Sequence, residues 1–156
     1  VGDLVNHELN SCLKDALKIC WHEVKNKAAV ELDLCDSLSV RCRPQQLTQV
    51  FLNVIVNASQ AVQENARINI LTVKVNGQAF IEISDNGPGM SEEVRKRIFD
   101  PFFSTKPVGK GTGLGLSIAY NIIKEHGGTI EVDSRPGLGA KFRIKLPLAN
   151  EAASAA

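Results

Sequence analysis

An alternating stretch over Gln78–Asp85 ends on a carboxylate and runs directly into Asn86-Gly87-Pro88-Gly89. Further on, Gly109-Lys110-Gly111-Thr112-Gly113-Leu114-Gly115 opens a helical pattern. A strand that delivers an acid to one glycine turn, and a second glycine run that leads into a helix N-terminus, restrict the chain to a mixed helix-and-sheet fold with a site at one end of the sheet. The other elements agree. Leu9, Leu13, Ala16, Leu17, Cys20 and Val24 recur at helical spacing, and Val30, Leu32, Leu34 and then Leu38, Val40, Cys42 alternate as strands. Pro44 suits the first turn of a second helix, whose apolar face holds Leu47, Val50, Phe51, Val54, Ile55 and Ala58. Strands near Ile68–Val75 and Gln78–Asp85 are joined by Asn76-Gly77, a hairpin turn. Ser91 caps a short helix, and a third main helix carries Gly115, Ile118, Ala119, Ile122 and Ile123 up to a stop at Gly127-Gly128. Strands Thr129–Asp133 and Ala140–Leu146 close the pattern around Pro136-Gly137. Val1 to Val5 read as a lead-in, and Leu148 onward as a small-residue tail that frays.

With 156 residues and 44% apolar content, the chain has material for one well-cored domain, placed at 1–148 with a tail at 149–156. The net charge of +1, with acids and bases interspersed, argues against nucleic acid or an anionic membrane surface as a partner. No apolar run approaches a membrane span, so the expectation is a soluble cytoplasmic domain, whether or not its parent is membrane-anchored. Cys12, Cys20, Cys35 and Cys42 form no CxxC pair and read as reduced thiols. Asn57-Ala58-Ser59 matches a glycosylation acceptor but falls inside a helical pattern and is discounted.

Period-2 parity puts Asp85 on the same face as Ile81 and Ile83, aimed at the core. An unpaired carboxylate there is costly, so it needs a donor. An adenine amine is one, whereas guanine offers a carbonyl at the same place. The plainer reading is that Asp85 starts the Asn86-Gly87 turn. On the second helix, Asn53, Asn57, Gln60 and Glu64 form a polar stripe. Asparagine is a mediocre helix former, and its carbonyl oxygen suits Mg2+. The alternative is a solvated polar face. Phe99-Asp100-Pro101-Phe102-Phe103 leads through Lys106 and Lys110 to the glycines, which read as a lid over a polyphosphate held at a helix N-terminus. Walker A is excluded because Gly111 follows Lys110, and no G-x-G-x-x-G occurs.

Together these motifs resemble the catalytic, ATP-binding domain of sensor histidine kinases, in the superfamily that includes gyrase, Hsp90 and MutL. The resemblance covers Val5 to Leu148. Leu47–Val62 looks like the N box, Asp85–Gly89 the first glycine box, Phe99–Phe103 the F box and Gly111–Gly115 the second glycine box. The lid is similar to that of nitrogen- and dicarboxylate-sensing kinases. The resemblance implies a Bergerat fold: an α+β two-layer sandwich, a mixed, mostly antiparallel sheet with three main helices on one face. It also implies ATP and Mg2+. Asp85 would bind the adenine amine, with Gly87 and Gly89 shaping that end. Asn57 would ligate Mg2+ and Asn53 would assist near the phosphates. Gly111, Gly113 and Gly115 would hold the phosphates, Lys106 or Lys110 would reach the γ-phosphate, and Thr112 and Leu114 would anchor the lid. Two departures stand out: Gln60 where many relatives carry a basic residue, and Arg43 before Pro44 where an aspartate is common.

Such a domain supplies ATP but not the phosphate acceptor. His7-Glu8 superficially resembles a phosphoacceptor box, yet it immediately precedes the first helix of the ATP-binding unit, so His7, His22 and His126 read as structural or surface residues. The resemblance therefore implies two partners: a histidine-bearing dimerisation domain of the same kinase, and a response regulator downstream. The competing readings are a self-sufficient ATPase of the gyrase, Hsp90 or MutL kind, a nucleotide-binding module without transfer activity, and a protein serine kinase like the anti-sigma factors. The ATPases place a glutamate base where this chain has Asn53, which cannot take a proton from water.

Overall fold

A computed structural model describes residues 2–61, 64–103 and 115–149. Among these residues seven strands and four helices follow in the order β1 (Val5–Glu8), α1 (Leu9–Val24), β2 (Ala29–Asp33), β3 (Ser39–Cys42), α2 (Pro44–Ala61), β4 (Arg67–Val75), β5 (Gln78–Asp85), α3 (Glu92–Arg97), α4 (Gly115–Glu125), β6 (Thr129–Ser134) and β7 (Ala140–Pro147). Five strands form one sheet in the order β2-β4-β5-β7-β6. β2 runs parallel to β4 and every other pair is antiparallel. That is the mixed, mostly antiparallel α+β sandwich expected.

The core lies between α1, α2, α4 and one face of the sheet. Register stacks its apolar residues in rows: Thr72–Ile81–Ile144, then Ile70–Ile83–Phe142. Leu47, Val50, Phe51, Val54 and Ile55 of α2 are fully buried over these rows. Each large apolar side chain moved out of water here contributes about 1.5–3 kcal/mol, so the sheet and α2 are mutually dependent. One polar group belongs to the core rows. The Thr72 hydroxyl donates to Asn10 Oδ1 at 3.0 Å and accepts the Cys35 N–H at 3.0 Å, while Asn10 Nδ2 donates to the Cys35 carbonyl at 2.7 Å. This closed network satisfies every buried group it contains and ties α1 to β4.

Two segments differ from expectation. The lead-in is in part a strand: β1 pairs antiparallel with β3 in a separate two-stranded sheet, Val5 opposite Cys42 and His7 opposite Val40. With one apolar residue in Val-Asn-His-Glu, the pairing rests on backbone hydrogen bonds and leaves no alternation to read. Leu148 does not fray, because its N–H donates to Gly77 O at 3.1 Å and the Ala149 N–H to Ser39 O at 2.8 Å. The short helix α3 buries no residue, and Ser91 caps it by accepting the Val94 N–H. Cys12, Cys20, Cys35 and Cys42 are all free thiols. Among the described residues no helix is long and apolar enough to cross a membrane.

Candidate nucleotide-binding site

Beyond the row Ile70–Ile83–Phe142 comes the row Ile68–Asp85–Ala140. Ile68 and Ile83 are fully buried, so Asp85 leaves β5 on the core side, where it is half-buried. Its Oδ1 accepts the Gly87 N–H at 2.8 Å, and the Ala140 N–H also reaches the carboxylate. The first bond is the turn that an aspartate in this position makes, so the plainer reading of Asp85 holds locally. It does not exhaust the group: an ionised carboxylate offers roughly four lone-pair sites, and two are used. Burial raises the Asp85 pKa above the ordinary carboxylate range, and the bonds from Gly87 and Ala140 oppose the rise.

The turn after Asp85 is clamped from both sides. Asn86 accepts the Arg67 N–H on its Oδ1 at 2.7 Å and donates from Nδ2 to Asn65 O at 3.0 Å. On the other side lies the β6–β7 turn. Gly137 N–H donates to Pro88 O at 2.6 Å. The Ser134 hydroxyl accepts the Met90 N–H at 2.8 Å and donates to Gly139 O at 2.7 Å. Gly89 has φ +73°, and a Cβ there would overlap the Arg135 carbonyl. Gly139 also has φ +73°, and a Cβ there would overlap the Asp85 carbonyl. Gly89 is thus required by geometry. Gly87 is buried and serves through its N–H. Ser134 and Gly139 escaped the sequence reading, as did the clamping bonds of Asn86, which that reading placed only in the turn. The signal available was a second glycine after Pro136-Gly137, more than a simple turn needs.

On α2, Asn53 and Asn57 sit one turn apart and are both half-buried. Asn53 Nδ2 donates to the Gly115 carbonyl at 2.8 Å, and its Oδ1 accepts from Gln49 Nε2 at 2.6 Å. The structure therefore brings Asn53 and Gly115 together, as the tie between α2 and the start of α4. Among the described residues the Asn57 side chain has no hydrogen-bond partner. Gly115 begins α4, whose first N–H groups are unpaired within the helix and carry partial positive charge. Lys106, Lys110, Gly111, Thr112, Gly113 and Leu114 lie outside the described residues. Of the three aromatics before them, Phe99 joins the fold, with ring centroids 5.4 Å from Tyr120 and 6.1 Å from Phe142. Arg97 covers the Phe103 ring at 4.7 Å, whereas Phe102 is exposed with φ +66°.

The histidines fit structural roles. His126 Nδ1 bonds the Ile122 carbonyl at 2.7 Å, and its Nε2 accepts the Arg43 N–H at 3.1 Å, so both nitrogens hold the end of α4 against the start of α2. His7 lies in β1 and His22 is exposed on α1.

The family described as "Histidine kinase-, DNA gyrase B-, and HSP90-like ATPase" matches residues 42–150. The chain belongs to this family. ATP binding belongs to the family with it. Sporulation kinase C of Bacillus subtilis (strain 168) is 38% identical over 151 residues, which cover 93% of this chain and 34% of that protein. Among solved structures, the catalytic domain of histidine kinase ThkA matches with a TM-score of 0.83 at 29% identity, covering 94% of this chain and 96% of that one. ThkA in complex with the response regulator protein TrrA matches with a TM-score of 0.80 at 27% identity, covering 95% and 42%. The chain thus has the fold of a histidine kinase catalytic domain, and it spans about a third of the length of sporulation kinase C.

Proposed function

We propose that this domain binds Mg2+-ATP between α2, α4 and the Asp85 turn, and passes the γ-phosphoryl group to a histidine on a dimerisation domain of the same kinase. The observation that carries the reading is Asp85: a half-buried acid on the core face of β5, held by two backbone donors with acceptor capacity left over. The adenine amine supplies the missing donor. At the other end, Gly115 and the helix it opens offer N–H groups to the phosphates, and by the motif match Gly111 and Gly113, outside the described residues, would add theirs. By the motif match, Lys106 or Lys110 would reach the γ-phosphate and Thr112 and Leu114 would anchor the lid, all four outside the described residues. Asn57 fits a metal: a half-buried amide oxygen without a protein partner among the described residues is the kind of ligand Mg2+ takes alongside phosphate and water. Mg2+, when bound, offsets the charge of the phosphates.

Transfer breaks the bond between Pγ and the ADP oxygen and forms a bond from Pγ to an imidazole nitrogen. The protein's task is to position and neutralise rather than to react covalently. Asn53 positions: its amide holds the start of α4 at the phosphate end. The same bond disfavours a self-sufficient ATPase, since an amide engaged with Gly115 and Gln49 provides no base for water. In the parent protein, the phosphohistidine would pass its phosphoryl group to a response regulator, the class of protein seen bound to ThkA.

The test is to mix the domain with labelled ATP and a histidine-bearing dimerisation domain of a related kinase. Acid-labile, alkali-stable label on that histidine is expected. Brisk ATP hydrolysis by the domain alone, with no label transferred, would overturn the proposal.

A further inference from the structure

The acid at the end of β5 is oriented by a peptide group from another strand. The peptide unit between Gly139 and Ala140 is held at both ends: its carbonyl accepts the Ser134 hydroxyl at 2.7 Å, and its N–H reaches the Asp85 carboxylate. A peptide group is planar, so fixing the carbonyl fixes the direction of the N–H. A bond accepted at the carbonyl also polarises the N–H and strengthens it as a donor. The same Ser134 hydroxyl accepts the Met90 N–H at 2.8 Å, which fastens the far end of the Asp85–Met90 turn. Gly89 and Gly139, each with φ +73°, let the two backbones touch at both crossings.

We infer that Ser134 is a positioning residue for purine recognition, acting through the Gly139–Ala140 peptide to set where the Asp85 carboxylate meets the adenine amine. The inference rests on the reading of Asp85 as the adenine contact. The Ser134 hydroxyl is engaged within the protein, as donor to the Gly139 carbonyl and acceptor from the Met90 N–H. Alanine leaves the fold's apolar core intact but frees the peptide to rotate. Threonine keeps the hydroxyl, and cysteine replaces it with a poorer donor of similar size.

The experiment is a double-mutant cycle on ATP affinity, measured by titration with the whole domain: wild type, Ser134→Ala, Asp85→Asn and the double variant, with Ser134→Thr and Ser134→Cys alongside. Ser134→Ala should weaken ATP binding about three- to tenfold, the scale of one hydrogen bond. On the Asp85→Asn background it should add less than about twofold, because linked residues are not additive. Ser134→Thr should bind like wild type and Ser134→Cys should fall between, which also covers the case of an alanine variant too unstable to titrate. Wild-type affinity in both the alanine and cysteine variants, or a full additive loss on Asp85→Asn, would overturn the inference. If Asp85→Asn binds ATP like wild type, the adenine reading itself falls. If Asp85→Asn weakens binding and Ser134 shows no coupling to it, only the role of Ser134 falls.

Discussion

Replacing Gly139 by alanine tests the geometry of the site where it is tightest. Two costs add. At φ +73° an L-residue sits in the left-handed region, at about 1 kcal/mol. The new Cβ would also lie 3.0 Å from the Asp85 carbonyl carbon and 3.1 Å from Asn86 Cα, overlapping the Asp85 carbonyl oxygen. Backbone contacts cannot yield as the end of a long side chain can, so β5 and β7 must part where Asp85 faces Ala140. Ladder bonds weaken steeply beyond roughly 3.2 Å, and losing about two of them costs about 1 kcal/mol each. The sum is about 3 kcal/mol, or about 6–12 °C in melting temperature for a domain of this size. The displaced carboxylate should lower ATP affinity about tenfold or more, corresponding to about 1.4 kcal/mol. Gly137 supplies the control: φ is +81° but nothing lies within 4 Å of its would-be Cβ. Gly137→Ala should therefore cost only about 1 kcal/mol and leave ATP affinity within about twofold of wild type. Thermal unfolding and calorimetric titration of both variants decide the matter. Equal stability and equal ATP affinity for the two would refute the argument.

Asn57→Ala should remove the part of ATP affinity that depends on Mg2+ and leave metal-free binding unchanged; titrations with Mg2+ and with EDTA check it, and an equal loss in both would exclude the ligand role. Acid should weaken ATP binding through Asp85 specifically, because the ionised carboxylate is a stronger acceptor for the amine than the neutral acid, which also turns one oxygen into a donor. With its pKa raised by burial, the loss begins above the ordinary carboxylate range of about 3.9, and affinity against pH should lack this step in Asp85→Asn. For the nucleotide-free domain the sign is opposite. The native state holds the Asp85 proton more tightly than the unfolded chain, so its contribution to stability is greatest at acid pH and is lost as pH rises through the raised pKa; unfolding midpoints of wild type and Asp85→Asn across that window measure it.

Much of this fold could be read from patterning because its long elements each bury one face. The apolar stripe from Leu47 to Ala58 predicts α2, and Gln78–Asp85 is bounded as observed because Asn76-Gly77 and Asn86-Gly87 close both ends. Parity alone gives the face of Asp85, since Ile81 and Ile83 fix it. What escaped is held by backbone or by register. β1 pairs through main-chain groups with almost no apolar side chain to betray it. Ser134 and Gly139 matter only because β7 lies beside β5 and brings Ala140 opposite Asp85. The bond from Asn53 to Gly115 links residues far apart in sequence, so spacing gives the stripe on α2 but not its partner.

The most direct measurement compares ATP with GTP on wild type and Asp85→Asn by titration in Mg2+. GTP presents a carbonyl where ATP presents an amine, opposing the lone pairs of the carboxylate. Wild type should prefer ATP on the order of a hundredfold or more, and Asp85→Asn should lose at least about tenfold in ATP affinity together with most of that preference. Equal binding of the two nucleotides by wild type, or an unaltered preference in the variant, would contradict the assignment of Asp85 as the residue that reads the base.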